Sequence, residues 1–275
     1  MNYLQKALSL NASFSSLSGI ILIAANRTVS NWFGLDEGLV FALIGAGLLF
    51  FSGTIAYQIK HQNTAGILLI IVQDLLWVIA SLLLLILQPF EISGLGIGLI
   101  EVVGFLVLAM AINQIFALSR TKTGAKELRT LTYERIMKGS QEKTWSVVSD
   151  VANYYTVAPN IDGVKILSGE GRGMVRQCSH GKDQWTETCS LWIEGKKYAF
   201  EVNTKAPDYP YPFDELQGEW EVDAVSIQTT RVKMIFSFRF RNKLQHGLLY
   251  PILKKKFSGV VEELLDNWQD QIGHK

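Results

Sequence analysis

The run "WTETCSLWIEGKKYAFEV", residues 185–202, places a carboxylate among apolar side chains. Strand alternation puts Trp185, Glu187, Cys189, Leu191 and Ile193 on one face, and Tyr198, Phe200 and Val202 on one face of the next strand. If the preceding hairpin turns at Gly181-Lys182, Arg176 stands opposite Glu187. An opposed Arg and Glu on a partly dry face satisfy each other, which describes a structural pair or a Glu that still reaches water at the sheet edge. The same pair also describes a polar anchor that orients a greasy molecule in an apolar pocket. A one-residue slip in register would separate the two.

Chemistry beyond that pair is sparse. Cys178 and His180 share a strand face but lack a third group to complete a nucleophilic set. Arg176, His180, Glu187 and Tyr198 offer acids and bases for an enolisation or dehydration, but no carboxylate pair or phosphate loop accompanies them. The histidines, His61, His180, His246 and His274, hold no metal-ligand spacing with the two cysteines, so neither a metal nor a cofactor is expected. Two cysteines, Cys178 and Cys189, are too few for a disulfide framework. Catalytic residues stay unassigned, and the reading favours a binder over an enzyme.

The elements that must position these residues divide at Arg120. The chain has 275 residues and a net charge of +1, yet only Lys6, Arg27 and Lys60 of its 26 basic residues precede Arg120. Segments 8–26, 38–58, 66–88 and 95–119 approach or exceed the roughly 20 residues needed to cross a bilayer, predicting a four-span helical domain over 1–119. The first span is interrupted by Asn11, Ser13, Ser15, Ser16 and Ser18. Of these, Asn11, Ser15 and Ser18 form one helical stripe that can turn toward the other helices. It lacks the clean apolar run and small-residue site of a cleaved leader. Lys6, Lys60, Arg120, Lys122 and Lys126 fall on one side and Arg27 on the other, which predicts a cytoplasmic N-terminus and a cytoplasmic globular half.

Two acids sit inside the spans, Asp74 and Glu101. Such residues are costly in hydrocarbon and mark a candidate ion path, a substrate or partner contact, or internal hydrogen bonding. Internal bonding would pair Asp74 with Gln73 or the first helix's stripe, and Glu101 with Arg27. Small residues such as Gly45, Ala46, Gly53 and Gly104 suit close helix packing.

After a basic linker, 120–130, the pattern becomes β-rich. "LTYERIMKG" predicts a strand, Ser140 caps a helical stretch "QEKTWSVVSDVANYY", and about six short strands follow. In the last, Val232, Met234, Phe236, Phe238 and Phe240 alternate with polar residues. A long amphipathic helix closes the chain; Pro251 fits only a first turn, so its start is expected near Leu249 or Tyr250.

The blocks "KTWSVVSDVANYYTVAPNIDGVKIL", the turn at Gly171 and Gly173, "WTETCSLWIEGKKYAFEV", "GEWEVDAV", "TTRVKMIFSF" and the closing helix resemble, in that order, the polyketide cyclase/dehydrase and lipid-transport family of the START-like, helix-grip superfamily. The resemblance covers about 130–272; the four-span region resembles no family. It implies an α+β domain over 131–272, a curved antiparallel sheet around the C-terminal helix with a hydrophobic cavity between them. Members bind lipids, sterols, polyketides or other apolar molecules, and a minority catalyse cyclisation or dehydration. On that fold Arg176, Trp185, Glu187, Cys189, Leu191, Tyr198, Phe200, Trp220, Met234, Phe236 and Phe238 would line the cavity or pack on the helix.

The loop "APDYPYPFDE" is stiffened by Pro207, Pro210 and Pro212. It carries Tyr209, Tyr211 and Phe213, as a gate or bilayer contact, or as an ordinary connection with its rings on the sheet. Together these features predict a membrane-tethered binding module for a lipid, isoprenoid or polyketide-like molecule. Its alternatives are an enzyme on an apolar membrane-derived substrate and a transporter or scaffold regulated by the soluble half. No feature points to nucleic acid.

Overall fold

The computed structural model describes residues 1–274 and divides into two compact units. The first comprises Met1–Lys122 together with Asn242–Gly247, the second Thr123–Arg241 and the chain from Leu248 onward.

In the first unit, α1 (Tyr3–Ala24), α3 (Leu39–His61), α4 (Thr64–Leu87) and α5 (Gly94–Arg120) are each long and apolar enough to cross a membrane. Their inward faces bury Leu4, Leu8, Ile55, Ile67, Ile71 and Leu118, while Leu43, Phe50, Leu69 and Phe105 stand exposed. Helices apolar all round suit an apolar surrounding. α1 starts five residues before the apolar run does, because Asn2 and Gln5 form a capping box that nucleates it earlier. It stops at Ala24, and a short amphipathic helix follows, α2 (Asn26–Phe33), closed by Gly34 at φ 75°. Asn63 and Ser93 cap α4 and α5 by accepting from the amides of Gly66 and Gly96.

α1 and α3 approach backbone to backbone. A Cβ on Gly45 would lie 2.7 Å from the Gly19 carbonyl, and one on Gly19 would lie 2.8 Å from that of Gly45. Close approach of this kind replaces the hydrophobic effect as the packing force between apolar helices in lipid.

In the second unit, seven antiparallel strands form one sheet in the order β1-β7-β6-β5-β4-β3-β2. They are β1 (Arg129–Lys138), β2 (Gly163–Ser168), β3 (Val175–His180), β4 (Asp183–Ile193), β5 (Lys197–Val202), β6 (Phe213–Ser226) and β7 (Thr229–Phe240). β7 buries every even-numbered residue from Thr230 to Phe240, the mark of a half-buried strand. The last helix, α7 (Lys243–His274), buries Val261, Leu264, Leu265, Trp268 and Ile272 against the inner face of this curved sheet. That is a helix-grip architecture. α6 (Gln141–Val148) is capped by Ser140, whose hydroxyl accepts from the Lys143 amide.

Three expectations are corrected. The stretch "QEKTWSVVSDVANYY" leaves the helix at Val148 and resumes only as one tight turn, Tyr154–Thr156; Asp150 bonds the Asn153 amide locally in competition with helix. β6 reaches back to Phe213, so that ring belongs to the sheet. α7 begins at Lys243, two turns before Pro251, which lies inside it. Proline lacks the N–H that would bond the carbonyl four residues back, so one helical hydrogen bond is missing there. What holds those early turns is contact within the first unit. Lys243 Nζ donates to the Gln62 carbonyl at 2.7 Å, Leu244 packs on that unit's core, and a Cβ on Gly247 would collide with the Leu68 side chain.

Candidate functional site

The β3–β4 register places Arg176 directly across from Glu187, both on the inner face and both buried. Arg176 Nε and Nη2 donate to Glu187 Oε2 at 2.8 and 2.7 Å, and Trp185 Nε1 donates to Oε1 at 2.7 Å. Arg176 Nη1 reaches the Val151 carbonyl at 3.3 Å, and the guanidinium lies 3.9 Å from the Phe200 ring centroid and 5.3 Å from that of Tyr154. Burial works against this cation, and Glu187 beside it holds its pKa above the ordinary arginine value all the same. Every strong acceptor and donor here has a partner, so the pair is a closed structural unit at the floor of the inner face.

Around it the inward rings fill the space. Tyr198 stacks on Trp220 at 5.0 Å and on Trp192 at 5.5 Å, and its hydroxyl donates to the Val148 carbonyl at 2.8 Å. Phe236 meets Phe257 of α7 edge-on at 4.6 Å. Cys189, Phe200, Met234 and Phe238 are fully buried in the same layer.

Leu191 is not in it. A bulge between Cys189 and Leu191 shifts the β4–β5 register, so Leu191 pairs with Ala199 on the outer face and Trp192 takes the inner one beside Tyr198. One inserted residue reverses every side chain beyond it. Trp192 and Tyr154 join this layer without having been marked by alternation, Tyr154 from a loop turn, and Trp268 of the apolar stripe of α7 packs with them.

The Pro-rich loop turns its rings inward. Tyr209 and Phe213 are buried with Leu131, Phe238 and Phe240 in a second apolar cluster, and Tyr211 stands half-buried against Trp185 at 5.5 Å. Arg241 fastens the loop by donating to the carbonyls of Phe213 and Tyr209 at 3.2 and 3.3 Å. The loop's rings are therefore packed. The Tyr209 hydroxyl is buried without a hydrogen-bond partner, and burial pushes its pKa up. Half-buried Tyr133, Trp185 and Phe257 touch both the main cluster and this second one, so they mark the seam between the two.

A family model described as polyketide cyclase / dehydrase and lipid transport matches residues 129–273, just over half of the chain. This chain belongs to that family. Among solved structures it is similar to TTHA0849 from Thermus thermophilus (17% identity, 52% of this chain and 97% of that one, TM-score 0.44). It is likewise similar to the Zhui aromatase/cyclase from Streptomyces sp. R1128 (18%, 53% and 91%, 0.40). A third is a START superfamily protein from Mycobacterium smegmatis (13%, 53% and 97%, 0.44). No curated protein matches.

Within this member of the polyketide cyclase and lipid-transport family, two concavities stand out among the described residues. One, about 540 Å³, is lined by Gln141, Glu142, Trp145, Glu194, Gly195 and Lys196. The other, about 380 Å³, is lined by Asp150, Asn153, Gln271, His274 and their apolar neighbours. None of the residues expected to line a cavity borders either.

Cys178 is buried, and burial with Glu187 nearby pushes its thiol up to about 12, which removes it as a nucleophile. His180 instead faces Asp162 at 3.4 Å in the open. Both cysteines are free, and no group of three or more metal-ligating side chains is found among the described residues.

In the first unit, Asp74 is buried and bonded to Asn11 of the polar stripe at 2.7 Å, and also to Gln114 at 3.0 Å. Gln114 went unmarked because a glutamine in an apolar run carries no periodic signal. Glu101 lies exposed on α5, and the ion pairs among the described residues do not join it to Arg27.

Proposed function

We propose that this protein is a membrane-tethered binding module for an apolar molecule of lipid, isoprenoid or polyketide type, which enters at the seam between the two apolar clusters of its helix-grip domain. The observation that carries the reading is the seam's composition. Tyr133, Trp185 and Phe257 are half-buried there, and the second of the two clusters also holds the buried, partnerless Tyr209 hydroxyl. Apolar walls with one convergent polar group are what a mostly hydrophobic ligand carrying a single oxygen requires. Family membership supports the ligand class.

The four apolar helices would keep the domain beside the bilayer, where such ligands partition and where tethering raises their effective concentration. The excess of Lys and Arg at one set of helix ends favours a cytoplasmic domain.

Binding is favoured over catalysis because the carboxylate buried in the sheet, Glu187, is already held by three donors from Arg176 and Trp185 and is not free to act as a general base. The test is native mass spectrometry with organic extraction of the full chain in mild detergent. A discrete apolar molecule that co-purifies, and is lost or exchanged faster in Tyr209→Phe, supports the proposal. An empty wild-type protein that also takes up no added lipid sinks it. Conversion of a bound molecule to a new product would transfer the assignment to an enzyme.

A further inference from the structure

Asp74 lies inside α4 and is 3% exposed. Its Oδ2 receives Asn11 Nδ2 from α1 and Gln114 Nε2 from α5, so three helices meet at one carboxyl oxygen. Asn11 is fixed in turn by Ser15, whose hydroxyl donates to its Oδ1 at 3.2 Å. Gln114 is 0% exposed, and its other amide atom, Oε1, is buried with no hydrogen-bond partner. Amide geometry sets Oε1 about 2.2 Å from Nε2, which keeps it beside the same carboxyl group.

Among the described residues no cation faces this cluster. Lys6 on α1, Lys60 and His61 on α3, and Arg120 on α5 are all turned away at the helix ends, and Lys243 is turned to the Gln62 carbonyl. Glu101, the other acid within these helices, is exposed far along α5. An ionised carboxylate here would be a buried charge without a counter-charge, next to an acceptor without a donor; either defect alone is costly.

We propose that Asp74 is an intramembrane proton-binding site. It carries its proton on Oδ1 and donates it to Gln114 Oε1, closing a two-bond acid–amide ring between α4 and α5 while Asn11 donates to Oδ2 from α1. One proton removes both defects. A metal cation fits worse, because the two amides turn their NH₂ ends toward the carboxyl group, whereas a hard cation collects oxygens. Turning the Gln114 amide over would set two oxygens 3.0 Å apart and demand the proton even more directly. The protonated acid therefore ties three helices together, donating to α5 and accepting from α1 and α5, at a site separate from the seam of the second unit.

Infrared difference spectroscopy of the full chain in lipid nanodiscs at neutral pH tests this, comparing wild type with Asp74→Asn. The expected result is a carboxylic-acid C=O stretch that shifts in D₂O and is lost in Asp74→Asn. A carboxylate band lost in its place overturns the proposal, as does an acid band that appears only when Na⁺ and K⁺ are withdrawn. Gln114→Leu, with Asp74 intact, should move the acid band to the position of a more weakly bonded carbonyl; an unmoved band overturns the ring. Melting in detergent gives a further readout. An Asn at 74 can repeat both ring bonds and should melt like wild type, while Asp74→Leu should melt lower. An Asn variant as damaged as the Leu variant contradicts the proposal.

Discussion

Arg176 and Glu187 face each other across the β3–β4 hairpin with two guanidinium nitrogens on one carboxylate oxygen, while the indole of Trp185 holds the other oxygen. The carboxylate is thus a hub that joins two strands and the loop beyond α6, through Arg176 to the Val151 carbonyl. Replacing Arg176 by Met strands a buried negative charge and should cost about 3–5 kcal/mol. The paired change Arg176→Met with Glu187→Leu should recover most of that loss. Intrinsic tryptophan fluorescence during thermal unfolding would follow both, and a double variant no better than the single would show that the pair is more than a charge balance.

The Gly19–Gly45 contact predicts a position-specific effect on α3. Gly45→Ala forces the α1 and α3 backbones apart and should lower the apparent melting temperature in detergent. Gly53→Ala on the same helix has nothing within 4 Å of its new methyl and should be neutral or mildly stabilising. Equal effects at the two sites would argue against direct backbone packing.

Cys178 gives a pH-dependent prediction. Its thiol sits near 12 in the fold against an ordinary value of 9.0, so the folded state favours the protonated form. The associated stability is intact below about pH 9 and declines as pH rises toward 12, because the unfolded chain then releases a proton that the fold retains. Maleimide labelling at pH 8 should leave Cys178 unmodified until denaturant is added; rapid labelling of the native protein would contradict this burial.

Tyr209→Phe removes a buried hydroxyl that has no partner. Stability should hold or rise by about 1 kcal/mol, since a desolvated polar atom disappears. Retention of an apolar ligand should fall in the same variant. A clear loss of stability would instead reveal a structural role for the hydroxyl.

Much of the β-rich unit is legible where its strands alternate without interruption. Val232 through Phe240 announce β7, and the short turn at Gly181-Lys182 fixes the register that brings Arg176 to Glu187. Legibility ends where the backbone departs from period. The bulge after Cys189 carries no residue signature, so Leu191 and Trp192 exchange faces unannounced. Pro251 reads as a helix start, yet contacts of Lys243, Leu244 and Gly247 with the first unit extend α7 past it. The aromatic loop looks exposed by composition, but Arg241 on two of its carbonyls fastens it inward. Asp74 and Asn11 stand out in apolar runs, whereas Gln114 becomes meaningful only once α5 packs beside α4.

The pairing of β1 with β7 has a consequence for how the chain is made. Lys138 and Thr229 are partners at one end of that ladder, and about ninety residues must be synthesised between them. At cellular elongation rates that is about 5 to 18 s during which β1 has left the ribosome without its neighbour. Throughout that delay Leu131, Tyr133 and Met137, which the finished core covers in whole or in part, lie uncovered on a strand without its neighbour. The nascent chain therefore passes through a vulnerable interval set by topology, in which a chaperone has something to hold and an aggregating neighbour has something to find.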